Sequence, residues 1–275
     1  MNLESLIDES LRAEGRVLWL TGAGISAESG IPTFRGEEGY WRVGGENYHP
    51  QEMATFSAFL AMPDEVWAWY LYRRGVCRGA GPNVAHDALA KLEASLHDRF
   101  LLVTQNVDGL HLQAGNSLER TYQIHGNIDY MRPVGGDEIV PLPDGIDTVW
   151  PKERRLTSEE TALLNVNGVS ARPHVLWFDE SYDEEKFRFE SSLYAAATAS
   201  LVVVVGTTGA TSLPMRIGML AAQRGVPMIV INPEPNPFSE LVESTGKGAY
   251  LEGKAGTLVP EVCELIARAE LRSRG

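Results

Sequence analysis

The chain lacks the residue patterns that mark secreted and membrane-bound proteins. Cys77 and Cys263 are the only two cysteines among 275 residues, and no C-x-x-C pair occurs, so no disulfide framework is expected. No apolar run approaches the roughly 20 residues of a membrane-spanning helix. The first residues do not form a basic segment followed by an apolar one, as a secretory leader would. We therefore expect a cytoplasmic protein with no membrane partner.

Positive charge is also scarce. The chain has 24 lysines and arginines against 37 aspartates and glutamates, a formal net charge of −13. Such a surface repels polyphosphate, and no local basic patch offsets it, so we expect no nucleic-acid partner. Apolar residues make up 44% of the chain, which is enough to bury a sizeable core.

Apolar, mostly β-branched runs recur along the chain, at residues 17–20, 100–103, 175–178, 201–205 and 228–231. Runs of this kind are typical of buried parallel strands. Amphipathic stretches lie between them, and this alternation predicts an α/β fold with a doubly wound, Rossmann-like parallel sheet. In such sheets, ligands bind beyond the carboxyl ends of the strands.

Two intervals break the alternation of strands and helices. Residues 37–79 are rich in aromatics, and residues 131–171 are rich in glycine, proline and acidic side chains. We interpret them as two insertions that together form a second, smaller module. The Rossmann-like domain would then comprise residues 1–36, 80–130 and 172–275.

A glycine-rich segment follows the first apolar run directly. Gly22, Gly24 and Ala27 complete a G-x-G-x-x-G/A pattern, in which glycines permit a tight turn and let backbone N–H groups approach a pyrophosphate. The pattern alone is weak evidence, because a glycine-rich strand-to-helix turn without a ligand gives the same match.

Two further blocks narrow the interpretation. TQNVDGLH, residues 104–111, follows the second apolar run, and IHGN, residues 124–127, comes next. In this order the three blocks resemble the sirtuin family, whose pattern is GAG-x-S-x-x-SGIP-x-FRG, then TQN-x-D-x-LH, then HG. The resemblance continues through RPHVLWF, GTT and NPE, from about residue 16 to residue 262.

The resemblance implies an NAD-dependent protein deacylase that consumes NAD as a co-substrate. In that family the acyl oxygen of an acylated lysine attacks C1′ of the nicotinamide ribose, nicotinamide leaves, and a histidine activates a ribose hydroxyl that captures the acyl group. His125 would be this general base, with Asn106 and Gln105 as further catalytic residues. Taken alone, one histidine is more often structural.

The same resemblance implies a set of NAD-binding residues. Phe34 would shield the reacting carbon, and Asn232 would hold the adenosine ribose, although its position also suits a turn. Asp108 would orient the nicotinamide end, or cap the following helix, or do both. The complete expected set is Gly22, Ala23, Gly24, Ile31, Phe34, Arg35, Tyr40, Trp41, Gln105, Asn106, Val107, Asp108, Gly206, Thr207, Thr208, Asn232, Pro233, Glu234 and Ala255.

The substrate side carries a more specific signal. On a helix, Tyr70 and Arg73 share one face, where a phenol and a guanidinium can clamp a carboxylate. Tyr-x-x-Arg resembles the signature of class III sirtuins, which remove succinyl, malonyl and glutaryl groups from lysine. An aromatic core stripe with a surface arginine is the alternative. The partners would be acyl-lysine proteins or peptides. The residues lining their binding cleft would be Tyr70, Arg73, Val175, Trp177 and Phe178.

The chain departs from the family pattern in three places. Residues 126–171 contain no cysteine and no histidine, so we expect no zinc, which most sirtuins bind there through four cysteines. Apolar residues would replace the metal: Ile139, Val140, Leu142, Ile146, Val149, Trp150, Leu156, Leu163 and Leu164. Asp179 stands where the family usually has glycine, beside the peptide cleft, and residues 206–214 form a longer loop than usual.

Two other functions stay open on this evidence. An altered peptide cleft would suit an NAD hydrolase or an ADP-ribosyltransferase, in which water or a protein side chain captures the ribose. A non-catalytic NAD-binding module is the third possibility. The presence of His125, Asn106 and Asp108 argues against that third function.

Overall fold

The computed structural model describes residues 2–32, 41–43 and 45–274. Its strands are β1 (Val17–Thr21), β2 (Trp41–Val43), β3 (Glu46–Tyr48), β4 (Phe100–Thr104), β5 (Thr121–Gln123), β6 (Gly126–Pro133), β7 (Val140–Pro141), β8 (Asn165–Val166), β9 (Val169–Val175), β10 (Leu201–Val205), β11 (Met228–Asn232) and β12 (Gly248–Glu252). Its α-helices are α1 (Leu3–Arg12), α2 (Pro50–Met53), α3 (Phe56–Ala61), α4 (Pro63–Gly79), α5 (Val84–Leu96), α6 (Leu110–Ala114), α7 (Ser158–Leu163), α8 (Glu184–Phe187), α9 (Phe189–Thr198), α10 (Ser212–Arg224), α11 (Pro237–Thr245) and α12 (Ala255–Arg274). Short 3₁₀ helices span Ala23–Ser29 and His97–Arg99.

A six-stranded parallel sheet forms the centre of the larger part of the molecule. Its strand order is β12-β11-β10-β1-β4-β5. Every residue of β1, β4 and β10 is buried, which explains their continuous apolar sequences. The chain passes from β1 to β4 on one side and returns to β10 on the other, so the predicted doubly wound α/β fold is confirmed. A crevice therefore opens at the carboxyl end of β1.

Helices cover both faces of this sheet. On one face α1, α5 and α12 pack through residues such as Leu11, Leu89 and Val259. On the other face α9, α10 and α11 pack through residues such as Ile217 and Phe238. Each fully buried side chain of this size contributes roughly 1.5–3 kcal/mol to the hydrophobic stabilisation. Since both faces are buried, the sheet is a rigid base for the loops that leave its strands.

One expected parallel strand is not part of this sheet. Residues 175–178 were predicted as a buried parallel strand, and that prediction is wrong. Val175 ends β9, which pairs with β6 in an antiparallel sheet of order β7-β6-β9-β8. Val175 and Trp177 of this run are buried in the apolar cluster of a second module. The apolar sequence alone does not distinguish that environment from a central strand.

The second module combines this antiparallel sheet with the β2–β3 hairpin and α2 to α4. Among the residues expected to replace a metal, Leu142, Ile146, Trp150 and Leu164 are buried in its core, and Val140 and Leu156 pack against them. The expectation fails for Ile139, Val149 and Leu163, which are exposed, Val149 by 77%. Ile139 and Val149 lie in loops and Leu163 lies at the end of α7, all three outside the apolar cluster.

A cation–π contact and an ion pair connect the loop around Arg154 to the core of this module. The Arg154 guanidinium lies 4.0 Å from the centre of the Trp150 ring and donates to Glu160 at 2.6 Å. Within residues 2–32, 41–43 and 45–274, no group of three or more His, Cys, Asp and Glu side chains has a metal-binding arrangement. Among the same residues, no helix has the length and apolar character needed to cross a membrane.

Candidate active site

The site begins where three neighbouring strands end. Thr21 of β1 pairs in register with Thr104 of β4 and with Val205 of β10. The predicted glycine-rich block, the TQN block and the GTT block leave the sheet at these ends. The sheet therefore brings together segments that lie about 80 to 180 residues apart, as expected for parallel strands.

The glycines allow two of these loops to touch backbone to backbone. The Gly24 N–H donates to the Gly206 carbonyl at 2.8 Å, and the Gly22 N–H donates to Val205 at 2.9 Å. A Cβ atom on Gly24 would lie 2.6 Å from Gly206 Cα, and Gly206 itself has φ +59°. The N–H groups of Gly22 and Gly24 thus bond within the protein and hold the two loops together.

A buried polar group joins the glycine-rich block to the TQN block. Ser26 Oγ donates to Asp108 Oδ2 at 2.7 Å and accepts from Asn106 Nδ2 at 3.0 Å. Asp108 Oδ1 also accepts from the Leu110 N–H at 2.9 Å, so Asp108 does bind the start of α6. Burial raises the pKa of Asp108, while the bonds from Leu110 and Ser26 lower it. Sequence reasoning assigned Ser26 no role, although it lies inside the motif.

Two histidines complete this group, and neither points outward. The rings of His86 and His111 lie 4.8 Å apart, and His86 Nε2 is 3.4 Å from Ser26 Oγ. His111 Nε2 is 3.0 Å from Thr21 Oγ1. Burial lowers the pKa of His86 to about 4 and lowers that of His111 as well. Both rings are therefore neutral near pH 7 and act as packed, hydrogen-bonding parts of the core.

The Gln105 side chain connects β4 to the long loop after β10. Its Nε2 donates to Thr207 Oγ1 at 3.0 Å, and its Oε1 accepts from Thr211 Oγ1 at 3.2 Å. The Gln105 backbone N–H donates to the Thr21 carbonyl at 2.9 Å. These bonds fix both the side chain and the main chain of Gln105 beside the expected base, His125.

His125 is half-buried and held by two hydrogen bonds. Its Nδ1 is 2.9 Å from the Gln105 carbonyl, and its Nε2 is 2.7 Å from the Tyr182 hydroxyl. A carbonyl only accepts, so the network assigns the proton to Nδ1 and leaves a lone pair on Nε2. Burial lowers the pKa of His125 to about 4, against a smaller rise caused by Gln105. The imidazole is therefore neutral near pH 7, as a general base must be.

Gly126 explains the glycine of the HG pair. Its φ is +86°, and a Cβ atom would lie 2.1 Å from the His174 carbonyl oxygen. Only glycine fits where β6 starts against β9, and this fit directs His125 toward the crevice. Tyr182, by contrast, was missed, because it lies 57 residues from His125 and belongs to none of the recognised motifs.

Tyr70 and Arg73 do not meet in one cavity. The Tyr70 side chain is only 4% exposed, and its hydroxyl accepts from Trp177 Nε1 at 2.8 Å. Arg73 lies over the Trp69 ring at 5.3 Å and lines a cavity of about 180 Å³. Ile31, Trp41, Tyr72 and Lys152 also line it. The sequence placed both groups on one helix face, but the aromatic core draws Tyr70 toward Trp177.

The expected peptide-lining residues separate into buried and exposed ones. Val175 is buried, Trp177 is 2% exposed, and Phe178 is 57% exposed. The Arg172 guanidinium stacks 3.5 Å from the Trp177 ring and binds Glu180 with both terminal nitrogens. Trp177 is thus a packing residue in this structure, and Phe178 is the accessible one.

Asp179, the unusual residue beside this segment, has a local structural role. Its carboxylate accepts from the Phe56 N–H at 2.6 Å and from the Ser57 N–H at 3.0 Å, at the start of α3. Burial acts to raise the pKa of Asp179, but these hydrogen bonds lower it overall. The sequence suggested an influence on peptide binding, whereas the structure shows this exposed carboxylate bound to the backbone at the start of α3.

The other expected NAD-binding residues that the structure describes lie in several separate segments. Asn232 Nδ2 donates to the Glu234 carbonyl at 2.6 Å and so forms a turn with Pro233. Ala255 begins α12, where the next N–H, from Gly256, donates to Glu28 at 2.7 Å. Ala23 lies in the first 3₁₀ helix, Val107 packs against the second module, and Thr208 is exposed. Phe34, Arg35 and Tyr40 lie outside the described residues.

Comparison with known proteins adds independent information. The family model described as Sir2 family matches residues 22–212. A protein of Leptospira interrogans serovar copenhageni, named NAD-dependent protein deacylase, is 40% identical over 252 residues, covering 90% of this chain and 91% of the relative. A Thermus thermophilus protein of the same name is 38% identical over 248 residues, covering 89% and 90%. The structure of a Sir2 homologue–NAD complex, 30% identical, matches with a TM-score of 0.77 over 98% of this chain and 96% of the other.

Proposed function

We propose, from the premise that this chain belongs to the Sir2 family and is an NAD-dependent protein deacylase, that it preferentially removes succinyl and malonyl groups from lysine. The observation that carries this proposal is the cavity lined by Arg73. A guanidinium offers parallel donors that match a carboxylate, which an acetyl group lacks.

The other walls of the cavity support the same preference. Lys152 places a second cationic side chain in the lining, and Trp41, Trp69 and Tyr72 provide aromatic surface. Charge from Arg73 and Lys152 favours an anionic acyl chain, while the rings accommodate its methylene groups. Tyr70 accepts a hydrogen bond from Trp177, and its own hydroxyl proton can still be donated. Tyr70 does not line this cavity, so the proposed preference depends on Arg73 and Lys152.

In this proposal NAD is consumed as the co-substrate. The acyl oxygen attacks C1′ of the nicotinamide ribose, and nicotinamide leaves. The neutral His125 then accepts a proton from a ribose hydroxyl at Nε2, and that hydroxyl captures the acyl group. Asn106 and Asp108 orient the nicotinamide end, and Gln105 contacts the ribose. Water then completes the release of the lysine amine, so the products are nicotinamide, free lysine and O-acyl-ADP-ribose.

The acyl preference is tested by comparing matched peptides. Succinyl-lysine and malonyl-lysine peptides should exceed the acetyl-lysine peptide in kcat/KM, because an acetyl group has no carboxylate for the guanidinium to bind. Arg73→Met should reduce activity on the acidic acyl groups by roughly 30- to 1000-fold, as for a desolvated charge-assisted pair, and leave acetyl activity unchanged or higher. Lys152→Met should give a smaller loss of the same sign.

Arg224→Met is the control, because Arg224 is an exposed arginine at the end of α10, a helix that packs on the parallel sheet, and does not line the cavity. An acetyl preference in the unmodified protein, or an equal loss on both substrates in Arg73→Met, contradicts the proposed preference. Product analysis separates the alternative function. ADP-ribose formed without any acyl-lysine peptide would indicate an NAD hydrolase instead.

A further inference from the structure

The hydrogen bond between Tyr182 and His125 has a consequence for the use of the base. His125 donates from Nδ1 to the Gln105 carbonyl, so Nε2 is the only ring atom that can accept a proton. The Tyr182 hydroxyl lies 2.7 Å from this atom. A neutral imidazole nitrogen has one lone pair, and here a side chain of the same protein occupies it.

Tyr182 is the donor in this bond. Burial raises the pKa of Tyr182 to about 12, against a smaller lowering by the Thr211 hydroxyl, so the phenol carries its proton near pH 7. The tyrosine ring stacks on Phe189 with a centroid distance of 6.3 Å and lies 5.8 Å from the His125 ring. The hydroxyl is therefore placed on Nε2 by packing on α9 as well as by the hydrogen bond.

The position of Tyr182 in the chain links it to the substrate side. It lies in the segment between β9 and α8, four residues after the exposed Phe178. That segment begins at Val175, where β9 ends, and Glu180 within it binds Arg172. A peptide that contacts Phe178 would therefore touch the same short segment that carries the phenol.

We propose that Tyr182 is a latch on the base: its hydroxyl occupies the lone pair of His125 and must leave it before the ribose hydroxyl can bind there. Tyr182 is in this sense a positioning residue, which acts through His125. The inference rests on the proposed role of His125 as general base. It predicts that removal of the phenolic oxygen makes Nε2 more accessible without removing any group that the chemistry needs.

Chemical modification tests the latch without reference to turnover. Diethyl pyrocarbonate reacts with the lone pair of a neutral imidazole, and mass mapping gives the rate at each histidine. In Tyr182→Phe, His125 should react about 2- to 10-fold faster than in the unmodified protein, the range for loss of one net hydrogen bond. His49 and His97, both exposed, serve as references within the same molecule. Tyr194→Phe is the control, because that side chain is 72% exposed.

Kinetics then separates a latch from a proton relay. If Tyr182 is a latch, Tyr182→Phe lowers the KM for NAD by about 2- to 10-fold, because the ribose hydroxyl no longer competes with the phenol, and leaves kcat unchanged. The rate of nicotinamide exchange also stays unchanged, because exchange precedes the step that uses the base. An unchanged modification rate overturns the proposal. So does a tenfold or greater loss of deacylation with normal exchange, since the phenol would then carry the proton itself. Near-normal turnover in His125→Ala would remove the base role, whereas the modification test would still decide whether Tyr182 covers Nε2.

Discussion

At the scale of single residues, the site depends on hydrogen bonds that orient neutral groups. Gln105 bonds to two residues of the loop after β10, and Ser26 bonds to two residues of the TQN block. The Gln105 carbonyl fixes the tautomer of His125. Such bonds are worth about 1 kcal/mol each, but leaving one partner buried and unpaired costs more. Substitutions here should therefore affect geometry and protonation before they affect the fold.

The first prediction concerns the base. His125→Ala should retain NAD binding and reduce turnover of an acyl-peptide by about 10²- to 10⁴-fold, the range for loss of a general acid–base group. Steady-state kinetics and NAD titration measure the two effects. His97→Ala, which removes an exposed histidine, should behave like the unmodified protein. Turnover near the unmodified value in His125→Ala would exclude His125 from the mechanism.

The second prediction concerns pH. Because the pKa of His125 is lowered to about 4, the imidazole stays neutral throughout the range from pH 8 to pH 6. The value of kcat/KM for the acyl-peptide should accordingly not fall as the pH is lowered from 8 to 6. Its acid limb should lie well below the ordinary histidine pKa of about 6.5. A limb centred near pH 6.5 would show that the ring is solvated in the working enzyme.

At the scale of elements, the short helix α3 of the second module is capped by a residue from a distant segment. Asp179 binds the first N–H groups of α3, and Thr55 accepts from Ala58 at the same end. A carboxylate at a helix N-terminus satisfies otherwise unpaired N–H groups and interacts favourably with the helix dipole. This contact joins the segment after β9 to the helical part of the module.

The third prediction follows from that cap. Asp179→Ala should lower the free energy of unfolding at pH 7 by about 1 kcal/mol, as for loss of an N-terminal cap. The pKa of Asp179 is lowered in the folded protein, so its contribution is present above the unfolded pKa of about 3.9 and is lost as pH falls further. Urea titrations of both proteins should therefore converge below about pH 4. Asp144→Ala, at an exposed turn, controls for charge; equal losses in both variants would contradict the cap.

At the scale of the whole molecule, two apolar clusters pack against the parallel sheet and a third fills the second module. The third cluster contains Leu142, Ile146 and Trp150 from the interval without cysteine or histidine. Arg154 adds a cation over Trp150 and a bond to Glu160. Packing and ion pairs thus connect the loops of this module.

The fourth prediction is that the purified protein contains no stoichiometric zinc. A metal bound to the native state alone would raise the melting temperature through mass action, so its removal would lower that temperature. We expect chelators to leave the melting temperature unchanged, whereas excess NAD should raise it by the same linkage. Elemental analysis that finds one zinc per chain would contradict the prediction.

The sequence by itself determined the α/β class, the family and the convergence of the three motifs. Apolar runs ending at Thr21, Thr104 and Val205 predict parallel strands, and parallel strands end at one edge of a sheet. The motifs that follow these runs must therefore converge, whatever the detailed packing. The HG pair was recognised from the sequence, but the positive φ of Gly126 and its close contact with β9 are visible only in the structure.

Only the tertiary structure decided where individual side chains point. Tyr70 turns to Trp177 because the aromatic core covers that side of α4, while Arg73 stays at the cavity. Asp179 points to α3, and Tyr182 reaches His125 across 57 residues. Periodicity tells which residues share an element's face, but contacts between elements distant in the chain depend on packing that no local pattern records. The partner of the proposed base belongs to this second kind.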